Sequence, residues 1–325
     1  MRLTVLAGGI GGARFLRGVR HAYPDADLTA VVNTGDDVTL HGLRICPDLD
    51  SVMYTLGGGI DTERGWGRAD ESWRISAELA TYGAEPSWFG LGDLDIATHL
   101  VRTRMLDAGY PLSDVTAALC ARWQPGVRLL PMTDQRCETH VVVDLPAADL
   151  TADDTTPRRA IHFQEWWIKY RAALAPHAFV QVGVADADPG PGVTEAIAAA
   201  DVVLVAPSNP VVSVGTILGV PGIREALTES AAPVVGLSPI VGGAPVRGMA
   251  DACLDAIGVP VSAEGVGRHY GARPDGGVLD GWLIHTSDAA SVPGVEVQAV
   301  PLMMTDDDAT AAMVRAAVAL GEAQR

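Results

Sequence analysis

Short apolar runs that stop at glycine, proline or a polar cluster recur along the chain, and they predict strands and helices in alternation. Leu3 to Ala7 is such a run, ending at Gly8 and Gly9, and Ala13 to Val19 follows with helical spacing. A second strand, Leu28 to Val32, runs into Asn33-Thr34-Gly35-Asp36-Asp37. Strand, glycine turn and helix, then a second buried strand that delivers polar residues at its end, is the opening of an α/β sheet, whose ligands sit at the carboxyl edge of the strands. The rhythm resumes from Phe179: a helix closes at Ala196 to Ala200, and the strand Asp201 to Val205 meets Ala206-Pro207-Ser208-Asn209-Pro210. Pro233 to Leu237 and Val295 to Val300 read as further strands, and Thr305 and Asp306 as the cap of a final helix.

Between residues 61 and 176 the character changes. This stretch holds every tryptophan except Trp282, helical patterns at Ile96 to Leu106 and Val115 to Trp123, and two alternating segments, Thr139 to Val143 and Ala160 to Gln164. It is expected to be a mostly helical insertion with a β-hairpin, whose polar segment 147–157 forms a long mobile tip. Residues 1–60 and 177–325 then make up the nucleotide-binding core. A chain of 325 residues accommodates this, at roughly 100 to 200 residues per domain.

Charge narrows the partners. Acidic residues outnumber basic ones by 40 to 23, for a net charge of −17, and there is no basic stripe, so a nucleic-acid partner is not expected. Lys169 is the only lysine. A small anionic substrate would have to be held by backbone N–H groups, arginine and a metal. Cys46, Cys120, Cys137 and Cys253 are scattered and read as reduced thiols. No apolar run approaches the roughly 20 residues of a membrane span, and no leader pattern opens the chain, so a cytoplasmic location without a membrane partner is expected.

Four segments carry candidate chemistry. Ala7-Gly8-Gly9-Ile10-Gly11-Gly12-Ala13-Arg14 offers few Cβ atoms between an incoming phosphate and the backbone; Gly8, Gly9, Gly11 and Gly12 are read as a phosphate cradle, with a bare glycine turn as the alternative. Asp36, Asp37, Asp48 and Asp50 supply the hard oxygen ligands that suit Mg²⁺. If Cys46-Pro47-Asp48-Leu49-Asp50 is extended, Asp48 and Asp50 point to one side and can hold a metal or orient a hydroxyl nucleophile. The competing readings are turn formation by Asp36 and Asp37 and helix capping by Asp50. Asp93 or Asp95 opens a helix, either as its cap or as candidate chemistry, and His99 near the same helix start reads as structural in preference to catalytic. Ser208, Asn209 and Pro210 at a strand end suit the phosphates or base of a nucleotide, or else a structural cap; Arg247, after Gly242-Gly243-Ala244-Pro245, can reach an anion or be surface charge. The aromatic tract His162 to Trp167 reads as core in preference to a stacking surface.

Taken in order, AGGIGGAR, NTGDD, CPDLD, FGLGDLDIATH, APSNPVVSVG and SPIVGGAPVRG resemble the 2-phospho-L-lactate transferase family over nearly the whole chain. The resemblance implies a Rossmann-like, mostly parallel sheet with helices on both faces and an inserted smaller region, usually as a homodimer. It implies transfer of a three-carbon phosphoacid unit from a guanosine diphospho donor to the ribityl hydroxyl of 7,8-didemethyl-8-hydroxy-5-deazariboflavin, with release of GMP and a need for Mg²⁺, in making coenzyme factor 420. On that resemblance the glycine loop, Asn33, Thr34, Ser208-Asn209-Pro210 and Arg247 hold the nucleotide, and Asp50, with Asp48 near it, faces the deazaflavin hydroxyl. Ala244 stands where many archaeal members carry lysine, which with the arginine-rich composition points to an actinobacterial version using the enolpyruvyl donor. Two other readings stand beside it. One is a non-catalytic nucleotide-sugar-binding regulator sharing the glycine loop and NTGDD. The other is an NAD-dependent oxidoreductase, for which the glycine spacing is wrong.

Overall fold

The computed structural model describes residues 1–151 and 155–324. The chain enters on β1 (Arg2–Ala7), α1 (Gly9–Ala22) and β2 (Asp27–Val32), then forms a small hairpin of β3 (Val38–Leu40) and β4 (Leu43–Ile45) that leads into α2 (Pro47–Leu56). Next come α3 (Arg74–Thr81), α4 (Asp93–Asp107), α5 (Leu112–Trp123) and β5 (Arg128–Pro131), followed by β6 (Glu138–Asp144), β7 (Arg158–His162) and β8 (Ala178–Val182). The remaining elements are α6 (Val193–Ala199), β9 (Val202–Val205), α7 (Val214–Gly219), α8 (Ile223–Glu229), β10 (Val234–Leu237), the two-residue strands β11 (Ile240–Val241) and β12 (Ala244–Pro245), α9 (Ala250–Ala256), α10 (Ala263–Tyr270), β13 (Gly281–His285), β14 (Glu296–Val300) and α11 (Asp307–Glu322).

Seven strands form the central sheet in the order β14-β13-β10-β9-β1-β2-β5, and every neighbouring pair is parallel. Both faces are covered, because successive residues of one strand belong to opposite cores. Leu3, Val5 and Ala7 pack with Phe15, Leu16, Val52 and Val314 on one side. Leu6 and Val31 pack with Ile197, Ile217 and Ile223 on the other. Strands buried on both faces read as continuous apolar runs, which is why β1, β2 and β9 are legible in the sequence. The strand order reverses between β1 and β9, so the loops leaving these two strands diverge and open a crevice at the carboxyl edge.

Several sequence expectations change. β13 was not anticipated, and it sits between β10 and β14 with Trp282 fully buried. β5 lies within 61–176 yet forms an edge of the central sheet, and Leu112, Val115 and Leu119 of α5 join its core, so that stretch is not wholly outside the sheet. The expected hairpin is a three-stranded antiparallel sheet, because β8 pairs with β6 on the side away from β7. Residues 152–154 of the tip expected at 147–157 lie outside the described residues. The final helix is capped by Asp306 alone, whose carboxylate accepts from Ala309 N–H at 2.7 Å; Thr305 donates to Asp306 instead. Trp166 is core, as the apolar reading of its tract requires, and its indole donates to the Leu174 carbonyl at 2.8 Å.

Candidate active site

The first built feature of the crevice is the glycine loop against the end of β9. Ser208 Oγ accepts from Gly8 N–H at 3.1 Å and donates to the Gly8 carbonyl at 2.8 Å, which ties the two diverging loops together. Gly9 takes a positive φ of 62°. A Cβ on Gly8 would stand 2.7 Å from Ser213 Cβ and 2.8 Å from an Asp48 oxygen, whereas one on Gly11 would meet only the Pro207 carbonyl at 3.5 Å. Close packing and phosphate access are therefore requirements of different glycines. Gly9 N–H is bonded to the Asp48 carboxylate, so the N–H groups of Ile10 and Gly11, in the first turn of α1, are left as the loop's donors for an anion.

Asp36, Asp37, Asp48 and Asp50 are all buried, but they do not form one ligand set. The extended reading of CPDLD fails because Pro47 starts a helix with Cys46 as its N-cap. Asp48 and Asp50 are then two residues apart on a helix and leave it on different faces. The capping alternative for Asp50 fails as well, since it lies inside the helix. Asp48 accepts from Asn33 Nδ2 at 2.9 Å, and burial raises its pKa to about 6. Asp36 is its electrostatic partner and is also pushed up, by burial first and then by Asp48. Asp37 accepts from Arg44 and from the Cys46 thiol, each at 3.0 Å; burial outweighs Arg44 and lifts it to about 6. Asp50 is ion-paired with Arg102 of α4, which is 2% exposed.

Arg102 and Arg44 carry no prior expectation, yet they supply the counter-charge here. Arg102 also reaches the Arg44 carbonyl at 3.3 Å and His99 Nδ1 at 3.0 Å. His99 stands between Asp50 and Asp95, at 3.7 and 3.4 Å, and Tyr54 donates to Asp95 at 2.7 Å. Asp95, His99 and Arg102 follow helical i, i+4, i+7 spacing, a polar stripe on one face, and that periodicity is the signal that could have found Arg102. His99 is thus structural in the sense that it holds this network. Asp93 caps α3 rather than its own helix, accepting from Ile75 N–H at 3.0 Å. The small sheet is fastened to the same loop, with Thr139 N–H donating to the Gly35 carbonyl at 2.6 Å and His162 Nε2 to that of Asp37 at 3.1 Å.

Asn33 Oδ1 accepts from Gly35 N–H, and Thr34 keeps a buried hydroxyl without a partner. Asn209 spends its amide oxygen on Val211 and Val212 N–H at 2.9 and 3.1 Å, a turn that leads from buried Pro210 into α7, so its side chain is structural in this state. Arg247 is exposed and stands beside Gly65. Among the described residues, three buried carboxylate oxygens have no hydrogen-bond partner: Asp36 Oδ1, Asp37 Oδ1 and Asp50 Oδ2. Such atoms are costly unless a ligand completes them. Among the described residues no three acidic, histidine or cysteine side chains converge as a metal cage. Mg²⁺ is commonly held by only one or two carboxylates together with substrate phosphates. Asp37 and Asp50, each with an orphaned oxygen, fit that mode better than Asp48, whose oxygens face Asn33 and Gly9.

A parallel sheet of this order, with a glycine loop and strongly perturbed carboxylates at its switch point, defines a doubly wound α/β protein with the makings of a catalytic crevice. The chain belongs to the 2-phospho-L-lactate transferase family, whose model matches residues 3–317, and it is a transferase. A relative from Nocardia farcinica described as "Phosphoenolpyruvate transferase" is 63% identical over 319 residues, covering 98% of this chain and 94% of its own. One of the same description from Streptomyces griseus subsp. griseus is 62% identical over 330 residues, with 100% of both chains covered. Among solved structures, protein BH3568 from Bacillus halodurans superposes with a TM-score of 0.61 over 98% of this chain and 99% of its own, at 18% identity, which establishes the shared fold.

Proposed function

We propose that the chain transfers a phosphoenolpyruvyl group from a guanosine diphospho donor to the terminal ribityl hydroxyl of 7,8-didemethyl-8-hydroxy-5-deazariboflavin, releasing GMP, as a step in making coenzyme factor 420. The observation that carries this reading is the buried carboxylate cluster with orphaned oxygens at the switch-point crevice, next to the glycine loop where the first turn of α1 begins. The description shared by relatives of 60% identity and above favours the enolpyruvyl over the lactyl unit.

The reaction is an in-line displacement at phosphorus, in which positioning and charge neutralisation supply most of the catalysis. Asp50 is oriented by Arg102 through one oxygen and presents the other to the acceptor hydroxyl, steering its proton as the new P–O bond forms. Ile10 and Gly11 N–H groups receive the charge that grows on departing GMP. Asp37 and Asp50 would hold Mg²⁺, which when bound neutralises the donor's phosphates. Asp48, kept against the glycine loop by Asn33 and Gly9, shapes that loop and carries no charge transfer of its own. The acceptor's flat ring is left to the surfaces of the 61–176 region, and the working unit is a homodimer.

Mixing the purified protein with both substrates and Mg²⁺ tests the assignment. GMP should appear in equal amount to the phosphorylated deazaflavin. No GMP above the level seen without the acceptor overturns it.

A further inference from the structure

Arg14 shares a cavity with Gly65 and Arg247 stands beside Gly65, and among the described residues neither has an acidic partner, although acidic residues outnumber basic ones by 40 to 23. Arg14 lies on α1, two residues past Gly12 of the glycine loop, and lines a cavity of about 180 Å³ shared with Ile10, Thr55, Asp61 and Gly65. Arg247 arrives from the opposite half of the sheet, past β12. Its guanidinium nitrogens stand 3.3 and 3.4 Å from where a Cβ on Gly65 would be, and Gly65, at φ 74°, leaves them that room. Asp61, the nearest acid of the cavity wall, is already paired with Arg64 at 2.9 Å. Neither Arg14 nor Arg247 makes a hydrogen bond or ion pair within the described chain. Partial desolvation, and then the like charge of Arg14, press Arg247 below the usual arginine range.

Two guanidinium groups held near each other without a counter-ion repel, and an oxyanion between them converts that repulsion into paired, charge-assisted hydrogen bonds. We propose that Arg14 and Arg247 form a two-pronged clamp for an oxyanion of the donor, closing across the cavity mouth from the two halves of the sheet. This rests on the donor assigned above. The donor offers suitable chemistry twice, in its diphosphate and in the carboxylate of its three-carbon acid. The clamp is a positioning device beside the acidic cluster, and it accounts for an arginine at 14 where a phosphate loop would carry the Lys-Ser or Lys-Thr pair.

The test is calorimetric titration of GDP and, separately, of phosphoenolpyruvate into the full-length wild type, Arg14→Ala, Arg247→Ala and the double variant. Steady-state kinetics with the complete donor run in parallel. Both arginines are exposed, so the melting temperature should not move. Loss of a charge-assisted contact should weaken binding about tenfold or more per arginine. Weakened GDP binding assigns the clamp to the diphosphate. Unchanged GDP binding with weakened phosphoenolpyruvate binding and a raised donor KM assigns it to the carboxylate. Lysine at either position should restore the charge but only part of the affinity, because it lacks the fork. A wild type that binds neither ligand sinks the donor assignment and the clamp with it. Wild-type binding and KM that survive in the double variant sink the clamp alone.

Discussion

Replacing Asp50 by Asn separates a catalytic carboxylate from a merely structural one, and the structure sets the scale of both effects. Its partner Arg102 has a side chain only 2% exposed, and that of Asp50 is 7% exposed. Breaking a buried ion pair costs about 3 to 5 kcal/mol, because the surviving charge stays buried. Asn keeps an acceptor for Arg102, which also retains the Arg44 carbonyl, His99 and the nearby charge of Asp37, so the lower end applies. A loss of about 3 kcal/mol lowers the melting temperature of a chain of this size by about 4 to 5 °C. Turnover should fall further than stability explains, by about 10² to 10⁴, the usual range for a proton-steering group. GDP affinity measured without Mg²⁺ should hold, since the nucleotide groups lie elsewhere. Assays well below the melting range, with calorimetric GDP binding and melts on the same samples, keep the effects apart. Arg102→Met supplies the complement: it should destabilise more, and the double variant should recover part of the loss through the coupling of the pair. An Asp50→Asn protein that melts within about 1 °C of wild type refutes the energetic role of the pair. One that turns over at near wild-type rate moves the catalytic assignment to Asp37, Asp36 or Asp48.

Further outcomes follow from the same site. EDTA should abolish turnover and Mg²⁺ restore it; full activity in metal-free buffer would leave Asp37 and Asp50 without their ligand role. Asp37 carries a pKa of about 6 against an ordinary 3.8, so its contribution is fully present below pH 3.8 and is lost as pH rises through about 6. The ligand-free protein should therefore gain up to about 3 kcal/mol from this group as pH falls from 7 toward 4, set against losses at its other carboxylates. Saturating Mg²⁺ should flatten that trend, and melts across the pH range with and without the ion decide it. Gly11→Val should weaken GDP binding with little change in melting temperature. Gly8→Val should destabilise the fold itself, since its Cβ would collide with Ser213 and Asp48. Equal melting of the two variants contradicts that division.

What the sequence revealed follows what burial makes periodic. β1, β2 and β9 are apolar on both faces and end in glycine or polar clusters, so the switch point and its glycine loop were legible. β13 was not, because Trp282 and Leu283 sit between glycine-rich and polar stretches that resemble a loop, and only parallel pairing with β10 and β14 makes it a strand. The acidic residues were legible as a group but not in their geometry. Pro47 at the first helical position, with Asp48 and Asp50 in the first turn, was the available signal for a helix. Reading that segment as extended placed two carboxylates on one side that the helix directs apart. Arg44 was not legible at all, and Arg102 was legible only as part of the polar stripe of α4 and not as the partner of Asp50, because a counter-charge is chosen by tertiary proximity: Arg102 comes from α4, 52 positions from Asp50.

The distribution of charge then bears on the substrate. One end of the crevice holds buried carboxylates with oxygens that no group among the described residues completes, and Asp37 and Asp48 are raised because burial outweighs their neutralising contacts. Arg14 and Arg247 have no acidic partner among the described residues, Asp61 of the same cavity being paired with Arg64. Moving either set toward the other would have neutralised both, yet Arg44 and Arg102 are spent on Asp37 and Asp50 while Arg14 and Arg247 are left free. A ligand that answers both must bring positive charge to the carboxylates and negative charge to the arginines at once. A guanosine diphospho donor with a carboxylate at its far end, together with a divalent cation on its phosphates, has that polarity. A neutral nucleoside or a bare sugar does not. Binding should therefore be cooperative between cation and donor, each tightening the other by the same factor. Titrating GDP at zero and at saturating Mg²⁺ measures that factor, and an affinity for GDP that ignores Mg²⁺ would break the link between the two ends of the crevice.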